Sequence, residues 1–523
     1  MNREIAIKKL SKSKYVWDVV VIGGGATGLG TAVDAASRGF KTLLLEKHDF
    51  AKGTSSRSTK LAHGGVRYLA QGDVSLVLEA LKERGLMMQN APHLVQNQKF
   101  VIPNYRWWGG PFYTIGLKMY DMMAGKLGLG PSEHISKEEV KEYIPNLQEE
   151  DLRGGVIYHD GKFDDSRLAI NLAQTIFDHG GYAVNYCGVT GFTKDEEGLV
   201  TGVECLDEET GKSHIVKAKT VVNATGVFVD YILKMDDPKG KKMVVPSQGI
   251  HIVLNRKFLK SDAAIMIPRT SDGRVLFAIP WHGKVVVGTT DTLVDKPTIE
   301  PRALEEEIDF ILNTATDYLC KSPKRPDVLS VFAGLRPLAA PEDDDKETKE
   351  ISRSHKIVIS LSGLITIIGG KWTTYRQMGE DCVNKAILLA GLPERPCITA
   401  SLPIHGFRKN VDFNDHLYVY GSDENKIQVI ISKNPELKEQ IHPDLPYIKA
   451  EIVWAARTEM ARTVEDFLAR RTRALFLDVR ASMEMAKTVA DLMAKEMKKD
   501  KKWVNFQVKT YTELAKGYLL TDA

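Results

Sequence analysis

The chain has 523 residues, 43% of them hydrophobic and 27% charged, which is typical of a globular protein with two or three domains. Its formal net charge of +3 gives no support for a nucleic-acid-binding protein, and no apolar run is long enough to predict a transmembrane helix. The five cysteines are scattered and form no C-x-x-C pair, which argues against a disulfide framework, an iron–sulfur cluster or a structural metal site and indicates a reducing compartment.

Residues 1–16 combine several lysines with a few apolar residues. They could form a short basic amphipathic helix, but we expect a solvated extension.

The first strong signal is a buried strand that ends in glycines. Residues 19–22 are four β-branched apolar residues, and the strand runs into a G-x-G-x-x-G pattern formed by Gly23, Gly25 and Gly28. Such glycines allow a tight turn, close approach of the backbone to a pyrophosphate, and packing of the next helix on the strand. That helix is predicted over about residues 27–38.

A second predicted strand follows at residues 42–45 and delivers Glu46, about 18 residues after Gly28. A carboxylate in this place accepts hydrogen bonds from the ribose hydroxyls of a dinucleotide. Strand, glycines, helix, strand and acid in this order predict a site for FAD or NAD.

Residues 53–68 form a long polar segment rich in hydroxyl groups and small residues. Directly behind a dinucleotide-binding start, such a loop is typical of donors to phosphate and ring atoms, and it favours a flavin. A helix is predicted at about 74–88. The aromatic and methionine-rich stretch 106–123 is typical either of an interfacial amphipathic segment or of an interdomain helix, and we leave both open.

The later chain returns to the cofactor twice. Residues 155–230 alternate strands and helices and end in Ala224-Thr225-Gly226, where small residues permit a close backbone approach. Residues 244–292 have the pattern of an antiparallel sheet. Gly369-Gly370-Lys371 starts another strand-to-helix turn, and residues 404–523 are predicted to be mainly helical. Residues 341–350 are predicted to be an acidic surface loop.

Longer motifs are more specific than the glycine pattern. They are residues 60–69 (KLAHGGVRYL), 91–94 (APHL), 223–226 (NATG), 279–281 (IPW), 288–291 (GTTD), 333–338 (AGLRPL), 369–376 (GGKWTTYR) and 463–472 (TVEDFLARRT). In this order they resemble the FAD-dependent glycerol-3-phosphate dehydrogenases, within the amino-acid-oxidase-like flavoproteins. The resemblance runs from about residue 17 to about residue 475.

Pattern and resemblance together predict an α/β fold with three parts. A Rossmann-like FAD-binding domain comprises residues 15–95, continued by about 155–235 and 356–395. An antiparallel-sheet substrate-binding domain comprises 96–154 and 236–355, and a C-terminal helical domain comprises 400–523.

The resemblance implies oxidation of sn-glycerol 3-phosphate to dihydroxyacetone phosphate, by hydride transfer from C2 to N5 of FAD, with electrons passed to a membrane quinone. It also implies a peripheral protein on the cytoplasmic face of the cell membrane. Five lysines between positions 495 and 502, beside Trp503, would favour anionic lipid, although a solvated helix end is the preferred interpretation. The predicted partners include a second copy of the chain in a homodimer, but the sequence does not determine the oligomeric state.

The resemblance and the residue chemistry give the candidate site. His63 and His251 are the candidate bases, because neighbouring arginines disfavour a second positive charge and keep an imidazole neutral. Of the two, His63 is preferred. The predicted catalytic residues are His63, His251 and Arg336. The predicted substrate-binding residues are Arg67, Tyr68, His251, Arg336, Lys371 and Thr374. The predicted cofactor-binding residues are Gly23, Gly25, Ala26, Thr27, Gly28, Glu46, Lys47, Thr54, Ser55, Ser58, Lys60, Leu61, Ala62, His63, Ala224, Gly226, Gly370, Lys371, Trp372 and Thr373.

Three other functions stay open at this point. An oxidase of the same substrate would release hydrogen peroxide, but oxidases of this group tend to carry an insertion where only about 30 residues separate Leu338 from Gly369 here. A flavin enzyme for a 2-hydroxy acid or an amino acid would need fewer phosphate-binding cations. A non-catalytic flavin-binding subunit would not need both His63 and Lys371.

Overall fold

The computed structural model describes residues 1–12, 14–65, 73–105, 109–268, 270, 273–340 and 354–520, with the backbone alone at 109–112. In the described part of the chain, the α-helices are Arg3–Leu10, Ala26–Ser37, Val74–Asn90, Gly109–Ala124, Lys137–Tyr143, Asp165–Asp178, Val229–Asp236, Glu305–Tyr318, Tyr375–Leu389, Glu424–Lys433, Lys449–Thr458, Ala474–Leu477, Val479–Met497 and Lys501–Lys516. The strands form two large sheets and one small hairpin. None of the helices in these residues is long and apolar enough to cross a membrane.

The first sheet is built around the strand Val16–Ile22. This strand pairs in parallel with Lys212–Asn223 on one side and with Thr42–Leu45 on the other. Its apolar residues are buried on both faces, as a central parallel strand requires. The order across the sheet is His355–Ile359, Ile365–Gly369, Lys212–Asn223, Val16–Ile22, Thr42–Leu45 and Tyr182–Val184, with Cys187–Lys194 and Val200–Asp207 attached through Lys212–Asn223.

The second sheet is mainly antiparallel. Its longest pairing joins Val244–Asn255 to Val328–Ala339, and Val244–Asn255 also pairs with Lys284–Gly288. The order is Thr292–Leu293, Val244–Asn255, Lys284–Gly288, Leu276–Trp281, Ala264–Ile267, Val95–Asn104, Gly154–Phe163 and Leu61–Ala62. In addition, Val328–Ala339 pairs with Val244–Asn255, and Glu133–Ile135 pairs with Gly154–Phe163. The predicted fold class is confirmed.

The strand Gly154–Phe163 differs from the predicted domain boundaries. The prediction places residues from about 155 in the FAD-binding domain, but this strand pairs antiparallel with Val95–Asn104 along its whole length in the second sheet. Only with the helix Asp165–Asp178 does the chain return to the first sheet, where that helix packs in the same apolar core as Ala26–Ser37. The alternation of apolar residues is the same in either sheet, so it does not identify the partner.

The C-terminal part is mainly helical, with the hairpin Gln440–His442 and Leu445–Ile448. Its core includes residues of the second sheet, Trp281 and Phe332 among them. Trp503 packs against this core, while the lysines between positions 495 and 502 are exposed. This arrangement favours the solvated helix end over a lipid-binding face.

The N-terminal segment is not a solvated extension, so that expectation is wrong. Residues Arg3–Leu10 form a helix in which Ala6 and Leu10 are fully buried against the outer face of the first sheet. Arg3 donates to Asp207 at 2.5 Å, which fixes the helix to the sheet. The helix buries Ala6 and Leu10 while Lys8 stays exposed, so docking on the sheet does not require a lysine to leave water.

His405 lies between two carboxylates near the start of the C-terminal part. Its Nδ1 lies 2.6 Å from Asp178 and its Nε2 lies 2.8 Å from Asp423. Because carboxylates only accept hydrogen bonds, this geometry requires a proton on both ring nitrogens. Burial alone would lower the pKa of His405, but the two carboxylates overcome it and raise the pKa to about 9.

This imidazolium predicts a pH-dependent stability. A raised folded-state pKa stabilises the protein fully below the ordinary pKa of about 6.5, and this contribution is lost as the pH rises through about 9. We expect His405→Gln to lower the melting temperature at pH 6 by about 2 °C, for a loss of about 1–2 kcal/mol at a partly exposed site. By pH 10 the gap to the wild type closes in scanning calorimetry. An undiminished gap at pH 10 would contradict the prediction, and the exposed His134→Gln serves as the control without a gap.

Candidate active site

A cavity of about 800 Å³ lies at the carboxyl end of the central parallel strands. Ile22, Leu45 and Ala224 line it where three neighbouring strands of the first sheet end or have just ended. His251 and Arg336 line it from the second sheet. In open α/β sheets, ligands bind outside the carboxyl ends of the strands, so both sheets contribute to one candidate site.

The glycine-rich turn brings backbone close to this cavity. Gly23 has φ +109°, and a Cβ there would lie 2.7 Å from the carbonyl oxygen of Ala224, so only glycine fits. Gly25 precedes the helix Ala26–Ser37, and the Ala26 N–H donates to Ser55 Oγ at 2.9 Å. A helix N-terminus with a hydroxyl beside it suits a pyrophosphate.

Glu46 stands at the end of the second parallel strand, as predicted. Its carboxylate accepts the Gly24 N–H at 2.6 Å and the His48 N–H at 2.7 Å. Each carboxylate oxygen keeps a further acceptor site, and Glu46 lines the cavity. Its position therefore suits a ribose, while the two backbone donors hold its orientation.

Most of the predicted site residues line the same cavity. They are Gly23, Gly25, Ala26, Thr27, Glu46, Lys47, Thr54, Ser55, Ser58, Leu61, His63, Ala224, Gly226, His251, Arg336, Gly370, Lys371, Trp372 and Thr373. Arg67 and Tyr68, like Trp107, Trp108 and the acidic segment 341–350, lie outside the described residues. Their predicted roles stay predictions.

Four predicted residues do not line the cavity. Gly28 packs against the carbonyl group of Gly23, and Ala62 is fully buried in an apolar core cluster. Lys60 directs its Nζ to Asp165 at 2.7 Å. The Thr374 hydroxyl donates to the Lys371 carbonyl at 3.3 Å. These contacts support the wall of the site from behind.

His251 is a buried, neutral imidazole in the cavity wall. Its Nε2 lies 3.0 Å from Thr59 Oγ1, and its ring stacks on Phe332 with the centroids 4.9 Å apart. Burial, assisted by the positive charges of Lys60 and Arg336, holds the pKa of His251 well below its usual value of 6.5. The side chain is therefore uncharged at neutral pH and able to take up a proton.

Arg336 is held by the turn that follows Lys284–Gly288. Its Nη2 donates to Thr289 Oγ1 and to the Thr290 carbonyl, both at 3.0 Å, and its Nη1 lies 3.2 Å from Asp291 Oδ1. These bonds fix the plane of the guanidinium beside the cavity. Lys371 lines the same cavity just after the strand Ile365–Gly369 of the first sheet, with its Nζ screened from water. Arg336 and Lys371 thus both bring positive charge to the cavity.

Glycines on neighbouring strands make room for these side chains. A Cβ on Gly249 would overlap the Arg336 guanidinium, and a Cβ on Gly288 would overlap the His251 ring. Gly334 pairs with Gly249 in the sheet, and a Cβ on Gly334 would lie 2.9 Å from the backbone of Arg57. The sheet therefore carries its functional side chains across glycines.

Sequence reasoning missed part of the wall. Thr59 lies in the predicted hydroxyl-rich segment but was not selected, although it makes the hydrogen bond to His251. The apolar residues Met266 and Phe277 also line the cavity. Their signal was the alternation along two predicted strands, which does not show which face meets a ligand.

The described residues fit FAD. The close glycine turn and the helix N-terminus suit the pyrophosphate, Glu46 suits a ribose, and the apolar Met266 and Phe277 suit a flat ring. The cavity spans from the first sheet to Arg336 of the second, so one ligand can meet both. No cluster of metal-ligating side chains occurs in the described part of the chain.

Two family models match the chain. Residues 18–376 match the FAD dependent oxidoreductase family, and residues 365–503 match the C-terminal domain of alpha-glycerophosphate oxidase. Together with the fold and the cavity, this match defines an FAD-dependent oxidoreductase, with FAD as its cofactor.

Individual relatives narrow the class. A mitochondrial glycerol-3-phosphate dehydrogenase of Schizosaccharomyces pombe is 39% identical over 95% of this chain and 86% of its own length, and the Homo sapiens relative of that name is 38% identical over 99% and 75%. The structure of the glycerol-3-phosphate dehydrogenase from Bacillus halodurans with FAD superposes with a TM-score of 0.81 and 31% identity, covering 100% of this chain and 99% of that one. The chain belongs to the FAD-dependent glycerol-3-phosphate dehydrogenase family.

Proposed function

We propose that the protein oxidises sn-glycerol 3-phosphate to dihydroxyacetone phosphate with FAD and passes the electrons to a membrane quinone. The observation that supports this substrate is that one cavity is lined by a neutral histidine together with the cations of Arg336 and Lys371. His251 is placed to take a proton, and Arg336 and Lys371 supply positive charge for a phosphate. A neutral alcohol or a simple carboxylate would not need both cations.

The phosphate is bound at Arg336 and Lys371. Arg336 contributes a delocalised positive charge, since both of its Nη groups already donate to protein acceptors, and Lys371 adds a point charge. Arg336 is held in place by Thr289, Thr290 and Asp291, so little of its side-chain freedom is lost on binding. The Thr374 hydroxyl supports Lys371 by donating to the Lys371 carbonyl. Arg67 and Tyr68 remain proposed phosphate-binding residues.

The base is His251, acting at Nε2. This nitrogen adjoins Thr59, another cavity-lining residue, whereas Nδ1 is screened from water. The C2 hydroxyl gives its proton to the Thr59 hydroxyl, which passes its own proton to Nε2, as the C2–O bond becomes a carbonyl. FAD, when bound, supplies N5 as the acceptor for the hydride that leaves C2.

His63, which the sequence favours as the base, has a different role in this proposal. It lines the cavity on the segment after Leu61–Ala62, and its backbone N–H lies 3.3 Å from Thr373 Oγ1. This contact ties the two cofactor loops together. We therefore assign His63 to cofactor binding and leave the proton transfer to His251.

The helix Gly109–Ala124 is the proposed membrane-facing element. Ile115, Met119 and Met122 are 64%, 46% and 74% exposed, and their spacing places them on one side of the helix. Leu117 and Tyr120 on the opposite side are buried. An amphipathic helix with an apolar outer face is typical of attachment to a lipid interface without a crossing, here on the cytoplasmic side.

The inner side of this helix touches the cavity loop. The Tyr120 hydroxyl accepts the Gly64 N–H at 2.8 Å and donates to Asp160 at 2.9 Å. Asp160 and the neighbouring Gly65 line the cavity. Electrons would therefore have a short route through packed protein from the flavin to a quinone at the lipid surface.

The experiment is anaerobic reduction of the bound flavin, followed at about 450 nm, by sn-glycerol 3-phosphate, glycerol and lactate. We expect rapid bleaching by the phosphate ester alone, because Arg336 and Lys371 favour a dianion. The reduced enzyme should then react faster with a short-chain quinone than with oxygen. Bleaching by lactate instead would overturn the substrate, and fast production of hydrogen peroxide would make the protein an oxidase.

A further inference from the structure

Arg473 lies in the C-terminal part, just before the helix Ala474–Leu477, and it is almost fully buried. Its Nη2 donates to the Ser56 carbonyl at 2.6 Å, although 417 positions separate the two residues. The same group lies 3.4 Å from Asp165 Oδ1. Its Nη1 donates to the Ala469 carbonyl at 2.8 Å. One side chain thus joins the C-terminal part to the hydroxyl-rich segment.

Asp165 gathers the other contacts to this segment. Its Oδ2 accepts from Lys60 Nζ and from Ser58 Oγ, both at 2.7 Å, and from the Ser58 N–H at 3.1 Å. Lys60 Nζ also donates to the Ser56 carbonyl at 2.7 Å, so that oxygen receives both cations. Residues 56–60 are therefore held by one carboxylate and two buried cations. None of the three charged side chains lines the cavity.

The backbone at this place needs such support. Lys60 has φ +66°, in the left-handed region that residues with a Cβ rarely adopt. Non-glycine residues keep this conformation only where the surroundings over-determine it, and such residues cluster at functional sites. Here the conformation sets the direction of the residue before it, Thr59.

Thr59 carries the effect to the reaction. Its Oγ1 lies 3.0 Å from His251 Nε2, the proposed base. A second route leads to the same ring: Phe476 packs on Phe332 at 5.0 Å between centroids, and Phe332 stacks on His251 at 4.9 Å. The C-terminal part therefore contacts the base through a polar route and an apolar route.

We propose that Arg473 is a positioning residue of the active site: it fixes residues 56–60 so that the Thr59 hydroxyl stays beside His251 Nε2. The C-terminal helical part then orients the base without touching the substrate. The inference rests on the proposed function, since it assigns the rate of flavin reduction to His251. Arg473 acts through Thr59, so its loss should slow the chemical step more than it weakens binding.

The main test compares Arg473→Gln with Arg167→Gln in stopped-flow reduction by sn-glycerol 3-phosphate. Arg167 is a matched control, because it is buried at the same junction and pairs with Glu459 at 2.8 and 2.9 Å without contacting residues 56–60. We expect Arg473→Gln to slow the limiting rate about 30-fold, with the FAD content and the substrate dissociation constant within about threefold. Arg167→Gln should lower the melting temperature similarly and keep the rate. Equal slowing in both variants would overturn the proposal.

Thr59→Val keeps the proposal testable if Arg473→Gln folds poorly. Thr59→Val should slow reduction to a similar extent. In the double variant, Arg473→Lys should slow reduction by less than about a further threefold, because both changes act on the same contact between Thr59 and His251. Arg473→Lys alone should retain part of the rate. Full additivity of Thr59→Val and Arg473→Lys would contradict an action through Thr59.

Hydrogen exchange gives a readout without turnover. In the FAD-bound protein without substrate, Arg473→Gln or Arg473→Lys should speed exchange in a peptide covering residues 53–62, and Arg167→Gln should not. Unchanged exchange in the Arg473 variants would overturn the positioning role. If the wild-type flavin is not bleached by sn-glycerol 3-phosphate, the proposed function fails, whereas the exchange result still decides whether Arg473 fixes the segment.

Discussion

Replacing His251 by Asn should slow anaerobic flavin reduction by sn-glycerol 3-phosphate about 1,000-fold while FAD remains bound. General bases contribute about 10²–10⁴ to a rate, and His251 is the neutral imidazole that lines the cavity together with Arg336 and Lys371. Asparagine keeps a polar group of similar reach but cannot accept the proton. Stopped-flow absorbance at about 450 nm measures the rate, and the absorbance spectrum before mixing measures the FAD content.

His93→Asn is the matched control for this change. His93 is likewise buried, and burial lowers its pKa to about 4, but it contacts Asn171 and does not line the cavity. We expect its rate to stay within about threefold of the wild type. Equal slowing of both variants would show that loss of a buried histidine, and not loss of the base, limits the rate.

The same assignment predicts the pH profile of the wild type. The pKa of His251 is held well below 6.5 by burial and by Lys60 and Arg336, whose own counter-ions are Asp165 and Asp291. A base with a depressed pKa stays unprotonated at acid pH, so the limiting rate should be nearly flat from pH 7.5 down to about 6. A fall of about fourfold across that range would indicate a histidine with the ordinary pKa of about 6.5 as the base.

The cofactor end of the site could be predicted from sequence because its elements are local. The strand, the glycine turn, the helix Ala26–Ser37 and the strand Thr42–Leu45 follow one another within about 30 residues. Each is specified by its own residues, so Glu46 necessarily lies at the carboxyl edge of the sheet. The positive φ of Gly23 was implied by the same pattern.

The substrate end depends on pairings that local patterns do not encode. Thr59 and His251 are 192 positions apart, and Arg336 meets the turn at Thr289 across 47 positions. The sequence pattern around a histidine in a strand is the same whether that face of the strand packs on a core or lines a cavity. The resemblance selected His251 and Arg336, and the sequence predicts a neutral imidazole from neighbouring arginines. In the structure burial is the main cause of the lowered pKa, and Lys60 and Arg336 add to it.

Lys60 shows how a correct motif can hide a different role. The sequence places it among the cofactor-binding residues, since it begins the motif at residues 60–69. Its partner Asp165 comes 105 positions later, at the start of a helix, and Arg473 comes from the C-terminal part. A buried lysine requires a partner, but the sequence does not show which carboxylate it is.

Replacing Arg336 by Gln should raise the concentration of sn-glycerol 3-phosphate needed for half-maximal flavin reduction about 100-fold. This corresponds to about 2.7 kcal/mol, within the range for a hydrogen bond to a charged group lost from a buried site. Arg336→Lys should fall between the variant and the wild type, because a lysine keeps the charge but not the planar fork. Initial rates of reduction over a range of substrate concentrations measure the shift.

Glycerol separates phosphate recognition from general damage. It lacks the phosphate, so its slow reduction of the flavin should be nearly the same in Arg336→Gln and in the wild type, and the preference for the phosphate ester should fall by the full 100-fold or so. Arg256→Gln is the matched control with unchanged preference: Arg256 directly follows the strand Val244–Asn255, pairs with Asp262 and does not line the cavity. If Arg336→Gln slows glycerol and the phosphate ester equally, Arg336 supports the turn at Thr289 and does not bind the phosphate.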